Sequence, residues 1–507
     1  MMQKKEMPKN TGTKRALESK QNLKPKQTLF FYDLETSGLS AAKDRIMQFA
    51  GMRTDLDLNP LGAPVNYLVK LNDDTLPSPK AIMVTKITPQ QTQQEGKSEA
   101  ELARCLMQEI FTPGTIAVGY NSTRFDDVFL RFLFWRNFYD PYLWQWQDGR
   151  GHWDLLDVVR MTRALRPEGI NWPFKTEAGE TKASNRLEEL TKANQLKHAH
   201  AHDALSDVEA LVAVTKLIKT KQSQLYNYLF ALRDKNRVKE IVNCKEAKPV
   251  VYTSGRYAGE RLHTSVAFPL FLEDQNTVIM WDLNFSPEEA LAKMTARAQQ
   301  MTPEQKQNWQ KLPLHLKLSP ICKKLKYNRC PAVSPLGVLE KNDGWAKLHL
   351  SPEKIQENLQ KLIHNQALRK DLMDSVREDA KKYTKTESTL DAEEALYERF
   401  LEETDRSLCQ KISQKDALAL RNFQPNFQDK RLASLFVNYK GRNFPTALSE
   451  VEQKQWEKYR LKRLAQSEKK FLQDLTEITQ NGAGDDFIVT ELQLWYQSIM
   501  PYSEAEV

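Results

Sequence analysis

The sequence predicts an α/β protein in which apolar strands and amphipathic helices alternate first, short strands follow, and helices close the chain. Three observations carry this. Apolar runs at 28–33 and 115–120 each end in polar or acidic residues. Helical spacing follows the second run, with Phe125, Val128, Phe129 and Phe132 three or four residues apart. Past residue 222 the pattern changes to short strands with turn residues, and from about 373 to stretches rich in Glu, Lys, Gln and Leu.

The first strand is Thr28-Leu29-Phe30-Phe31-Tyr32-Asp33, aromatic and apolar and preceded by a polar tail. Residues two apart on a strand share a face, so Asp33 and Glu35 point the same way at its end. Carboxylates so crowded repel unless a cation lies between them. Their hard oxygens suit Mg²⁺ or Mn²⁺ better than zinc. The second strand, Thr115–Tyr120, leads into Asn121-Ser122-Thr123-Arg124-Phe125-Asp126 and a helix. Asp126 stands at the helix start, where a carboxylate favours the macrodipole, and Asp127 is its rival for a place in a site. A third cluster, His202-Asp203-Ala204-Leu205-Ser206-Asp207, opens an amphipathic helix through Val208, Leu211, Val212 and Leu217. Asp207 in its first turns could face the same cations. A neutral imidazole at His202 could take a proton from attacking water near neutral pH. Four carboxylates and one histidine in this order suit two divalent cations and a water acting on a phosphodiester. His198 and His200 read as solvated loop histidines, and no cysteine lies nearby to complete a zinc set.

Between residues 124 and 160 bases and aromatics interleave. Aromatics stack on unpaired bases while arginines hold phosphates. Phe132, Phe134, Trp135 and Phe138 recur at core-like helical spacings, so the groove candidates are Arg131, Tyr142, Trp146 and Arg160. Arg186, ahead of the helical run Leu187–Leu190, could reach a terminal nucleotide or form a surface ion pair. Further on, Pro249–Tyr252 and Thr277–Trp281 read as strands, with a Ser254-Gly255 turn between them and a basic stretch from Lys317 to Arg329 after them.

Composition bounds the rest. At 507 residues two or three domains are expected. No run of about twenty apolar residues suggests a membrane span, and no apolar leader suggests export, so a cytoplasmic protein is expected. Cys105, Cys244, Cys322, Cys330 and Cys409 are scattered without a C-x-x-C, as expected of reduced thiols. The formal net charge is +8, but residues 1–27 hold eight basic and two acidic residues and so six of those charges. That tail is expected to be disordered, and the body is close to neutral. Nucleic acid would therefore be held by local patches rather than a global field.

The three acidic clusters resemble the DEDD exonuclease superfamily, histidine subclass. The runs Gly119-Tyr120-Asn121, Arg124–Asp127, Arg136–Tyr142, Trp153–Val158, Leu165–Pro173, Leu190–Asn194, Asn438-Tyr439 and Arg442–Pro445 resemble its exonuclease I branch, from about residue 28 to near the end. The resemblance implies a ribonuclease H-like exonuclease domain with a mixed sheet over 28–222. It implies an SH3-like domain with helical insertions over 223–372 and a helical C-terminal domain over 373–507, the three closing as a clamp over one strand. It implies 3′-to-5′ hydrolysis of single-stranded DNA to 5′-mononucleotides in DNA repair. Asp33, Glu35 and Asp207 would hold one Mg²⁺, Asp33 would bridge to a second with Asp126 acting through its waters, and Mn²⁺ could substitute. His202 would be the general base, and Asp126 rather than Asp127 the family's carboxylate. The protein would be a monomer that also binds the acidic C-terminal tail of single-stranded-DNA-binding protein, with Arg166 on the terminal carboxylate. A related enzyme that trims RNA is the alternative, since cations act on phosphate and not sugar. The long continuation past residue 222 argues against a minimal trimmer. A non-catalytic DNA-binding protein would have lost a metal ligand, and none is missing.

Overall fold

The computed structural model describes residues 25–177, 179–198, 203–383, 390–482 and 485–501. Most of the basic tail, and His200 and His202, lie outside the described residues.

Five strands form the first sheet: β1 (Thr28–Thr36), β2 (Ile46–Thr54), β3 (Val65–Leu68), β4 (Thr115–Gly119) and β5 (Gly151–Asp154). Their order is β3-β2-β1-β4-β5. β1 runs antiparallel to β2 and parallel to β4, and β4 is parallel to β5, so the sheet is mixed, as expected. Alternation along β1 explains its two faces. Leu29 and Phe31 pack with Ile116 and Val118 against Val208, Leu211 and Val214 of the Ala204–Lys221 helix. Phe30 and Tyr32 pack with Phe49 and Ala117 against Phe129, Leu130 and Leu133 of the Asp126–Arg136 helix. Helices on both faces bury both sides of the sheet. Phe132, Phe134, Trp135 and Phe138 are all buried, as their spacing suggested.

A hairpin of β6 (Phe174–Glu177) and β7 (Glu180–Ala183) follows, pairing with no other strand among the described residues. The second sheet is β8 (Val250–Thr253), β9 (Thr264–Leu272), β10 (Thr277–Asp282), β11 (Cys322–Lys326) and β12 (Ala332–Pro335), in the order β11-β10-β9-β8-β12 and antiparallel throughout. Its core is continuous with that of the first sheet through Val158, Val159 and Met161 of the Leu155–Leu165 helix. The helix Gln366–Tyr383 runs across the boundary expected after 372, and its Leu368, Leu372 and Val376 join this same core.

The closing part is helical: Glu403–Ser413, Lys430–Asn443, the 31-residue Glu450–Gln480 and Asp486–Ile499. Ser449 and Glu452 cap the longest of these reciprocally. Its Leu464, Phe471 and Leu475 pack on Met47, Leu71 and Ile82 of the first domain. Beside that seam lies a buried charge network. Arg442 bonds Asp74 at 2.7 Å and Glu393 at 2.5 Å, Arg45 bonds Glu393 at 3.1 Å, Arg463 lies 3.1 Å from Asp74, and Arg136 bonds Glu99 at 2.7 Å. All five cysteines are free. No helix among the described residues is long and apolar enough to cross a membrane.

Candidate active site

Asp33 and Glu35 leave the end of β1 on the face covered by the Ala204–Lys221 helix, and Asp207 reaches them from that helix. One ligand oxygen from each of Asp33, Glu35 and Asp207 lies within 4.8 Å of the others. The helix start is pinned to the sheet. Asp203 caps it by accepting from Ser206 N at 3.2 Å, and Gln48 of β2 donates to Asp203 at 3.2 Å while accepting from Ala204 N. Asp126 approaches from the β4 side, 5 % exposed. Its helix follows a tight turn: Asn121 is left-handed at φ 62°, and Asp154 accepts from Asn121 N (2.8 Å), Thr123 N (3.1 Å) and Thr123 Oγ1 (2.8 Å). A Cβ at Gly119 would stand 2.4 Å from the Ser122 side chain, so the chain can turn this closely only at glycine. Asp127, the rival of Asp126, is committed elsewhere: it accepts from Tyr32 Oη at 2.5 Å and Gln145 Nε2 at 2.8 Å.

The electrostatics are those of crowded, buried acids. Burial raises the Asp33 carboxyl well above the usual range, and Asp126, Asp207 and Asp203 raise it further. Burial, then Asp33, Asp207 and Asp203, push Glu35 up to about 9. Burial and the neighbouring Asp127 raise Asp126 as well. A hard divalent cation would relieve this, and the all-oxygen donor set fits one.

His198 differs from the expectation of a solvated loop residue. Its Nε2 lies 2.6 Å from Asp207 Oδ1, its Nδ1 lies 3.0 Å from Thr191 Oγ1, and its side chain is 6 % exposed. An amphipathic ring can satisfy both nitrogens and still be buried, which alternation with alanine concealed.

Around the carboxylates lies a cavity of about 620 Å³, lined by Asp33 and Asp207, by Tyr120, Asn121 and Arg160, by Lys175 and Lys182, by Asn185 and Arg186, and by His263. Arg160 bonds Asp157 at 2.7 Å and packs flat on Gly255 of the second sheet region, where a Cβ would stand 2.9 Å from the guanidinium. Arg186 is largely exposed, 3.6 Å from Glu188. The other groove candidates do not line this cavity. Arg131 is 7 % exposed and donates to Gln145 at 2.9 Å, because the Asp126–Arg136 helix is buried nearly all round. Tyr142 meets Phe400 edge-on at 5.8 Å, and Trp146 is 64 % exposed. Arg166 ends the Leu155–Leu165 helix, also away from the cavity. Sequence reasoning missed Lys175, Lys182, Asn185 and His263. His263 comes from the second sheet region, in a left-handed turn at φ 58°, and no local pattern links it to residue 33.

A mixed sheet with helices on both faces, and three convergent carboxylates at the end of its central strand, define a divalent-metal-dependent exonuclease, a hydrolase of phosphodiester bonds. Comparisons agree along the chain. Family models for an exonuclease match residues 30–215, for the exonuclease I SH3-like domain 233–377, and for the exonuclease I C-terminal domain 390–499. Exodeoxyribonuclease I of Escherichia coli (strain K12) is 38 % identical over 441 residues, 86 % of this chain and 90 % of that one. The crystal structure of E. coli exonuclease I in complex with a dA16 oligonucleotide superposes with a TM-score of 0.84 at 34 % identity, covering 94 % of this chain and 100 % of that one. An SSB/exonuclease I structure with the inhibitor CFAM does so with a TM-score of 0.81 at 34 % identity, covering 94 % and 100 %. The chain belongs to the exonuclease I family, and it is a 3′-to-5′ exodeoxyribonuclease.

Proposed function

We propose that the protein shortens single-stranded DNA from its 3′ end, releasing 5′-mononucleotides, with two Mg²⁺ ions as cofactor and Mn²⁺ able to replace them. The observation that carries this is the convergence of Asp33, Glu35 and Asp207 within 4.8 Å beside a cavity that also holds Arg160 and Arg186. Asp33, Glu35 and Asp207 would hold one ion, and Asp33 with Asp126 the second. When bound, the ions acidify water and offset charge on the attacking and leaving oxygens. The chain's own residues do the rest. Asp154 and Gln48 hold the two helices that aim Asp126 and Asp207. Arg160 and Arg186 bind the strand's phosphates, and Tyr120, Asn121 and Asn185 bound the space for the terminal nucleotide. His202, five residues before Asp207, takes the proton from the attacking water. A second reading rests on the 2.6 Å contact of His198 with Asp207: His198 holds that carboxylate in place and acts as a positioning residue.

An oligonucleotide occupies one solved relative and SSB accompanies another, which supports single-stranded DNA as substrate and single-stranded-DNA-binding protein as a partner; we place the acidic tail of that partner at Arg166. We place Tyr142 and Trp146 along the path of the strand beyond the cavity, and take the protein to act as a cytoplasmic monomer in DNA repair. End-labelled single- and double-stranded DNA with Mg²⁺ tests the reading. Loss from the 3′ end, stalling a few nucleotides before a duplex, is expected. Efficient digestion of blunt duplex, or attack from the 5′ end with the 3′ end blocked, would be fatal to it. Asp33→Ala or Asp207→Ala should abolish cleavage and leave strand binding largely intact, since each removes a cation ligand and not a groove contact.

A further inference from the structure

The β6–β7 hairpin has no part in the hydrolysis described above, yet it stands at the catalytic cavity. Its base is fixed by one buried arginine. Arg163, 3 % exposed, donates to Ser184 O at 2.5 Å and to Pro173 O at 2.9 Å, and so holds both ends of the excursion. Ser184 N closes the same base by donating to Pro173 O at 3.1 Å. The Arg163 guanidinium also lies over Phe174 at 4.7 Å and Trp172 at 5.6 Å. The hairpin is thus clamped where it leaves the body.

Its register pairs Lys175 with Lys182 and Thr176 with Thr181. Directly opposed side chains share a face, so the lysines stand side by side on one face and the threonines on the other, their hydroxyls 3.2 Å apart. The lysine face borders the cavity that holds Asp33 and Asp207. Glu180, two residues nearer the tip, pairs with Lys182 at 2.7 Å, but it does not border the cavity. Both partners are about 70 % exposed, so the pair is weak and readily exchanged for a phosphate. Glu188 is the acidic group of the cavity's Arg186–Glu188 edge, 3.6 Å from Arg186.

We propose that Lys175 and Lys182 form a phosphate-binding arm that grips the backbone of the DNA strand beside the scissile bond. This rests on the reading of the site as a single-strand exonuclease. The same lysines could meet a nucleotide phosphate from either of two sources, the strand or the released 5′-mononucleotide. The strand is favoured because the arm sets two lysines directly opposite each other, a match for successive backbone phosphates, whereas a released mononucleotide carries a single phosphate.

The test compares the wild type, Lys175→Ala/Lys182→Ala and Lys175→Arg/Lys182→Arg on single-stranded DNA over a range of salt, with inhibition by a 5′-mononucleotide measured alongside. Two lost phosphate contacts, at about 0.7 counterions each for a single strand, should flatten the slope of log affinity against log salt by about 1.4. KM should rise roughly 25-fold at about 0.1 M salt on the same counting. kcat should stay within about twofold, because the carboxylates are untouched, and the arginine pair should restore both KM and slope. An unchanged KM and slope in the alanine variant, with the wild type active, removes the arm alone. Weaker mononucleotide inhibition at unchanged KM overturns the strand assignment in favour of a product site. A wild type that does not shorten single strands removes the exonuclease reading itself, and the arm with it.

Discussion

At the scale of single residues, the site is a set of acids held too close together. The raised groups, with Glu35 at about 9, bind more protons in the fold than in the unfolded chain. Their stabilising contribution is complete below the unfolded value of about 4 and is lost as pH rises through the folded one. Divalent cations compete with those protons. Mg²⁺ should therefore raise the melting temperature more at mildly alkaline than at mildly acidic pH, and a thermal-shift series reads this directly. A cation effect that shrinks as pH rises would contradict the ligand set. The histidines separate by the same kind of argument. His202→Ala should lower turnover roughly 10²–10⁴-fold, the usual worth of general acid–base catalysis. His198→Ala should cost less in turnover but raise the Mg²⁺ concentration needed for half activity, because it frees Asp207. The reverse ranking in a steady-state assay would exchange their roles.

At the scale of elements, the period of each segment decided what could be read in advance. Asp33 and Glu35 were legible because a strand has a period of two and β1 keeps it. The Ala204–Lys221 helix was legible because one stripe is apolar. The Asp126–Arg136 helix is buried nearly all round, so its periodicity could not separate core from groove, and Arg131 was assigned to the groove while packing inside. β9, which the sequence reading did not single out, carries Pro269 beside a register shift with β10. The cavity wall of Lys175, Lys182 and His263 is assembled from a hairpin and a second sheet, contacts that no local pattern encodes. The cap on the Asp207 helix gives a further prediction. Asp203→Ala removes a side-chain acceptor from Ser206 N and should cost about 0.5–2 kcal/mol of stability, with Asp203→Ser restoring most of it. Denaturant midpoints measure both, and an alanine variant as stable as the wild type would show that the cap is dispensable.

At the scale of the molecule, the three parts are joined by shared cores and by buried charge. Burial opposes ionisation of Asp74 and Glu393, but Arg442, Arg463 and Arg45 outweigh it and hold both below the usual carboxylate range, Glu393 at about 2. Arg136 and Arg45 do the same for Glu99. For these groups the sign is opposite to that of the catalytic acids. Their contribution is present above the ordinary carboxylate range and is lost as pH falls through the folded values. Arg442→Ala strands two buried carboxylates and should cost about 3–5 kcal/mol, read as a lower denaturant midpoint. A loss below about 1 kcal/mol, the level of an exposed pair, would mean that the seam is solvated in solution.

That seam also limits what can be made of the nuclease portion alone. A fragment ending near residue 222 would keep Asp74 and Arg45 but lose Arg442, Arg463 and Glu393, and would bare the apolar patch of Met47, Leu71 and Ile82. The catalytic fold is therefore no detachable cassette. Trimming the distal helices is expected to lower the solubility of the product before it touches the chemistry.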